Sequence, residues 1–181
     1  KVGLKGYFVV ETSDRKNDCA NTYWVYNLAM ELDGKKILEY RNDGFTFDLS
    51  RYCNAVSYYP IQRNSRNEAM RMAILQGTPR VFFPTVVNQG IISTKEGEKR
   101  EVTLLATDDC KNTSTLSFSI EGKRDEECFK PQEDNSLKKV YYNHDFAQKV
   151  DDTFSVIIPK GALYESITMR LEPSEIVPKA D

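Results

Sequence analysis

The stretch from Trp24 to Arg41 constrains this chain more than any other. Trp24, Tyr26, Leu28, Met30 and Leu32 alternate with Val25, Asn27, Ala29 and Glu31, and a period of two puts one apolar row on a single face of an extended strand. Asp33-Gly34 follows, a dipeptide suited to the two positive-φ positions of a type I′ turn, so Lys35 to Arg41 reads as the returning strand of a hairpin. A hairpin with one apolar face needs a second layer to cover it.

The rest of the chain punctuates in the same manner. Asn42-Asp43-Gly44 is a further turn, after which Phe45 and Phe47 flank Thr46 in an expected short strand ending at Asp48. Asp48 or Ser50 is placed to cap one helical turn running through Tyr52 and Asn54. The segment 64–75 has helix-favouring composition, but Met70, Met72 and Ile74 alternate, and the alternation is taken as a strand. Residues 81–87 are apolar and carry Pro84, which fits an edge or irregular segment. The second strong signal spans Glu98 to Glu121: Val102, Leu104 and Ala106 alternate on one strand, Leu116, Phe118 and Ile120 on the next, and the polar link between them is a turn.

Residues 123–138 are charged and nearly devoid of apolar side chains, as a linker is. Beyond them, short strands are expected at Phe154 to Ile158 and Ser166 to Leu171, in a segment too small for a core of its own. The expected architecture is all-β: an immunoglobulin- or fibronectin-type-III-like antiparallel sandwich over 1–122, the linker 123–138, and the start of a second β-rich domain over 139–181, incomplete without further sequence. An incomplete sandwich leaves strand edges open, so a homodimer through residues 140–171 is conceivable.

Charge and composition remove several functions. With 25 Lys and Arg against 27 Asp and Glu, the chain has no basic excess with which to neutralise phosphates, so nucleic acid is not an expected partner. No apolar run approaches the ~20 residues that cross a bilayer as a helix. A single histidine cannot build the two- or three-imidazole sites of hydrolytic zinc enzymes. The chain opens at Lys1 without an initiator Met or an apolar leader, as a fragment of a longer protein does.

Few residues suggest chemistry. His144 could act as a base with Asp145 or Asp151, or pair with Cys128, but an exposed loop histidine is the favoured reading because nothing orients it. Asp108, Asp109 and Asn112 offer oxygen ligands for calcium; short polar side chains bonding their own backbone in a tight link account for them more simply. The four cysteines form no C-x-x-C pair. Cys19 and Cys110 sit in loops that often share one end of a sandwich and are the candidate disulfide, while Cys53 and Cys128 are unassigned. The 20 aromatic residues would suit a sugar-binding platform, although core packing explains most of them.

The strings NTYWVYNLAMELDGKKILEY, FTFDLSRYCNAVSYY, VNQGIIS and VTLLATDDCKNTSTLSFSIEG together resemble the region that follows the catalytic domain in lysostaphin/LytM-type zinc metallopeptidases of Bacteroides-like bacteria. The resemblance covers roughly residues 7–122. Its most specific element is Phe45-Thr46-Phe47-Asp48-Leu49-Ser50-Arg51-Tyr52-Cys53-Asn54, and Val156 to Tyr164 is similar to the opening of a further β-domain in the same proteins. Lys111 stands where the family turn has Gly, so a positive φ falls on Lys111 or shifts to Asn112. The family's zinc motifs, H-x-x-x-D and H-x-H, are absent. The resemblance therefore implies a non-catalytic accessory sandwich with no cofactor of its own, zinc being expected only in the parent's catalytic domain. It implies the periplasm or cell surface of a Gram-negative bacterium, and as partner the catalytic domain of the same polypeptide or another envelope protein. Arg51 and Tyr52 are the candidate interaction loop. A carbohydrate-binding or adhesion sandwich unrelated to a peptidase is the alternative.

Overall fold

The computed structural model describes residues 1–15, 22–63, 68–124 and 137–171, which fall into two compact units, Lys1–Cys128 and Phe129–Asp181. The described residues of the first form nine strands: β1 (Lys5–Gly6), β2 (Val9–Thr12), β3 (Asn27–Leu32), β4 (Lys35–Arg41), β5 (Glu68–Arg71), β6 (Thr85–Val86), β7 (Ile92–Ser93), β8 (Lys99–Thr107) and β9 (Thr113–Glu121). Five of them make one antiparallel sheet in the order β6-β4-β3-β8-β9, while β1 pairs with β7 and β2 with β5. The fold is all-β with antiparallel pairing throughout the sheets.

The core follows from the alternation. Leu28, Met30 and Leu32 of β3 lie beside Leu38 and Tyr40 of β4, Val102 and Leu104 of β8, and Ile120 of β9 in one buried cluster. Val25, Met70, Met72, Val56, Phe82, Phe83 and Ile92 complete it, with Phe8 and Val10 packed against its rim. Burying a side chain of this size contributes ~1.5–3 kcal/mol, so the covering layer need not be a large sheet. Short strand pairs and helical turns supply enough apolar surface. The strand expected from Trp24 joins the sheet only at Asn27, because Tyr23 exchanges backbone hydrogen bonds with Asp14 and the chain is still outside the sheet there. Trp24 instead sets its ring edge-on to Tyr40 at 6.1 Å.

Both hairpins form where the turn chemistry places them. Asp33 and Gly34 have φ of 51° and 74°. The Asp33 carboxylate accepts the Glu101 N–H at 2.8 Å and pairs with Arg100, tying this turn to β8. Between β8 and β9, Lys111 takes φ 73°, so the lysine itself occupies the left-handed position. Asp108 holds that turn, its Oδ1 accepting the Asn112 N–H at 2.8 Å and its Oδ2 the Asn112 side-chain amide at 2.7 Å. The Lys111 ammonium lies 4.0 Å from the centroid of the Tyr26 ring, a contact that helps offset the cost of the backbone conformation.

Three local expectations are corrected. Phe45 to Asp48 is not a strand: Phe47–Tyr52 is a 3₁₀ turn that continues into α1 (Cys53–Val56), followed by α2 (Tyr59–Gln62). Neither Asp48 nor Ser50 caps it. Thr46 is the N-cap, without a side-chain bond, and Ser50 Oγ donates to the Phe47 carbonyl at 2.6 Å. Leu116, expected in the core row of β9, is 59% exposed, because the row is covered only from Phe118 onward, where Phe8 meets Phe118 edge-to-face at 5.5 Å. The strand reading of 64–75 holds only over β5: Met72 to Leu75 leave the strand, and 64–67 lie outside the described residues.

The second unit contains β10 (Lys138–Val140) paired with β13 (Ile167–Met169), and β11 (Phe146–Lys149) paired with β12 (Ser155–Ile158). Asp151 accepts the N–H groups of Thr153 and Phe154 at 2.7 and 2.8 Å in the turn between β11 and β12. Val140 is buried, whereas Tyr141, Phe154 and Ile157 are exposed. Most of 123–138, assigned to a linker, lies outside the described residues, and β10 begins within it at Lys138.

Two tests follow from the packing and the turns. Gly90 has φ 79°, and a Cβ there would meet the Met72 carbonyl oxygen at 2.5 Å. Gly90→Ala should therefore destabilise the first unit by ~2 kcal/mol or more in urea unfolding; an unchanged midpoint contradicts the close approach. Asp33 is held below the ordinary carboxylate value of 3.8, first by the Glu101 N–H and then by Arg100. A lowered folded pKa means that the stabilisation is complete above the unfolded value and is lost as pH falls through the folded one. The melting-temperature difference between wild type and Asp33→Asn should therefore be present at pH 6 and shrink below about pH 3.8. A difference independent of pH contradicts the role of the charge.

Candidate functional site

The most specific string, Phe45 to Asn54, folds as a loop with two faces. Leu49 and Tyr52 are half-buried against the core, and Ala55 and Val56 behind them are buried. Phe45 is partly exposed and rests edge-on against Phe82 at 5.5 Å. Phe47, between them, is 98% exposed. The 3₁₀ geometry explains the split. Three residues per turn place Leu49 and Tyr52 on one side and turn Phe47 away from it. A scattered exposed apolar residue is unremarkable, but a phenylalanine wholly in water, on a turn whose other apolar residues are packed, is available for contact.

Arg51 and Tyr52 are brought together. The guanidinium carbon lies 5.2 Å from the Tyr52 ring centroid, with Arg51 exposed and the tyrosine half-buried, so a fixed ring positions a solvent-facing cation. Next along the chain, Asn54, Ser57, Tyr59, Gln62 and Arg63 line an open cleft of ≈ 480 Å³, and Tyr59 is 68% exposed. Sequence reasoning selected Arg51 and Tyr52 and counted Tyr59 among the aromatics that would suit a sugar-binding platform, but passed over Phe47. Phe45-Thr46-Phe47 mimics a strand alternation, and the opposing signal was the polar, helix-compatible run that starts at Asp48.

Among the described residues, the other sequence candidates each have local partners. His144 is exposed, with Nδ1 at 2.8 Å from the Asn143 side-chain oxygen and its ring against Tyr141. Asp145 accepts the Lys160 N–H at 2.7 Å, and Asp151 is committed to its turn; Cys128 lies outside the described residues. Asp108, Asp109 and Cys110 form an exposed cluster of ligand-type atoms, in which Asp108 is occupied by Asn112. A hydrogen bond to Asp109, together with the charges of Asp109 and Asp108, pushes the Cys110 thiol up, and burial pushes Cys53 up. Both shifts oppose formation of a nucleophilic thiolate. Of the candidate disulfide, Cys110 stands exposed at the β8–β9 turn and Cys19 lies outside the described residues. Among the described residues no helix is long and apolar enough to cross a membrane.

No family model, curated protein or solved structure matches the chain.

The two faces of the loop separate in mutagenesis. Leu49→Ala should cost ~2 kcal/mol of unfolding free energy, while Phe47→Ala should stay within ~0.5 kcal/mol of wild type, since it removes an exposed ring. A comparable loss from both substitutions in denaturant titration would mean that Phe47 is packed.

Proposed function

We propose that the chain is a non-catalytic accessory region of a cell-envelope zinc metallopeptidase, an immunoglobulin- or fibronectin-type-III-like sandwich that positions or regulates a catalytic domain through the Phe45–Tyr52 loop. The observation that carries the reading is the coincidence of two features. The string most specific to the resemblance also holds Phe47, which is 98% exposed. Beside it, Arg51 is a cation fixed over Tyr52. An apolar tip next to a positioned guanidinium suits a protein surface with an apolar pocket rimmed by carboxylates, since Phe, Tyr and Arg are enriched at such contacts. Zinc belongs, in this reading, to the catalytic domain of the parent, and the envelope of a Gram-negative bacterium is the setting.

Glycan binding unconnected with a peptidase is a second reading, favoured by one observation: Tyr59 is exposed beside the polar side chains of Asn54, Gln62 and Arg63 in an open cleft. Sugar rings stack on exposed aromatics and are oriented by neighbouring amides.

The discriminating experiment uses the complete parent protein. Peptidoglycan-solubilising activity per folded molecule is expected to fall several-fold in Phe47→Ala and Arg51→Ala with the melting temperature unchanged, and to be untouched by Tyr59→Ala. Unchanged activity in both loop variants overturns the accessory reading. Loss of glycan retention in affinity electrophoresis on Tyr59→Ala, in a parent without H-x-x-x-D and H-x-H, establishes the second.

A further inference from the structure

β9 is the terminal strand of the five-stranded sheet, and among the described residues of the first unit nothing pairs with its outer edge over most of its length. Gly122 donates to Glu98 and accepts from Gly97, so its backbone groups face β8. Glu121 and Lys123 face the other way, where Val2 donates to the Glu121 carbonyl and accepts from the Lys123 N–H. Alternation then turns the N–H and C=O groups of Thr113, Thr115, Ser117 and Ser119 outward. Among the described residues, their only strand pairing is with β8. The pairing with β8 is continuous, without a bulge, and no charge or proline occurs from Thr113 to Ile120. Long edges are ordinarily blunted by at least one such device.

The free stretch is symmetric about Leu116, which is 59% exposed. We propose that this edge pairs antiparallel with the same edge of a second copy of this chain, on a two-fold axis through Leu116. Thr115 then lies opposite Ser117 of the copy and Thr113 opposite Ser119, each pair exchanging two backbone hydrogen bonds. Hydroxyl meets hydroxyl along the outer face, an association already made within the sheet by Thr103 with Ser117 at 3.1 Å and Thr107 with Thr113 at 3.0 Å. Leu116 meets its own copy as a non-hydrogen-bonded pair, the closer of the two spacings.

The ends of the edge fix the register. The β8–β9 turn folds back before Thr113, where Asp108 bonds Asn112, and Val2 holds the edge at Glu121 and Lys123. Moving the axis to Ser117 sets Thr113 of the copy against Glu121, whose carbonyl Val2 already occupies, and moving it to Thr115 leaves Ser119 unpaired. The pairing uses an edge of the first unit and does not depend on the accessory-domain reading.

Sedimentation equilibrium of the 181-residue chain at micromolar to submillimolar concentration tests this. Wild type is expected to be in monomer–dimer equilibrium, and Leu116→Lys, which places two like charges on the axis, to weaken association by about tenfold or more with an unchanged circular dichroism spectrum. Because Leu116→Lys could disturb folding, a charge cycle on the exposed positions Thr115 and Ser117, opposite each other across the axis, accompanies it. Thr115→Lys with Ser117→Lys should weaken the dimer, and Thr115→Lys with Ser117→Glu should restore it. A wild type that is monomeric throughout, a dimer indifferent to Leu116→Lys, or Thr115→Lys with Ser117→Glu no tighter than Thr115→Lys with Ser117→Lys overturns the proposal.

Discussion

The burial of β3 on both sides of its length is the constraint on which the first unit depends. β3 is the central strand of the sheet, paired with β4 on one side and β8 on the other, and Leu28, Met30 and Leu32 are all in the core cluster. A one-residue slip would rotate that row to the opposite face and bury Asn27 and Glu31. The register of β4 and β8 is therefore set by β3, and the turns at Asp33-Gly34 and Asp108–Asn112 follow as the connections that preserve it. The bulge between β3 and β4 at Met30 and Glu31 leaves Ile37 as the extra residue, and beyond it alternation buries Leu38 and turns Glu39 to the polar side. There, burial alone would raise the Glu39 carboxyl, but Lys36, Asn27 and Thr85 outweigh it and hold the group low.

Against that platform, the parts of the molecule available for contact are those the core does not need. Phe47, Arg51 and Tyr59 project from helical turns whose inward residues, Leu49, Tyr52 and Val56, are fixed by packing. Rigid support with an unburied apolar tip is the arrangement from which recognition surfaces are made, because little side-chain freedom remains to be lost on binding. The outer edge of β9 is a second such feature, made of main chain instead of side chains.

Legibility in the sequence tracked the strength of local signals. The β3–β4 hairpin was readable to the residue at its turn and at β4, because alternation and Asp-Gly agree. β8 and β9 were readable for the same reason, and the antiparallel all-β class followed from these four strands. The two-residue strands β1 and β7 were not legible as strands, since their pairing is imposed by neighbours distant in sequence, whereas β6 falls in 81–87, read as an edge or irregular segment from Pro84, and lies at the edge of the sheet. Phe45-Thr46-Phe47 misled because three residues cannot distinguish period 2 from a 3₁₀ turn. Leu116 misled because a strand can outrun the layer that covers it. At the site, Arg51 and Tyr52 were found through resemblance, whereas the exposure of Phe47 depends on which way a short helical turn faces, and that is decided by the packing of Leu49.

Native-state hydrogen exchange, followed residue by residue, tests most directly whether β3 organises this unit and the Phe45–Tyr52 loop is merely mounted on it. The amides of Leu28 to Leu32 should exchange only through global unfolding, while those of 45–52 exchange through local opening at much lower free energy. Greatest protection in β2 and β5, or protection of the loop equal to that of β3, would contradict the account.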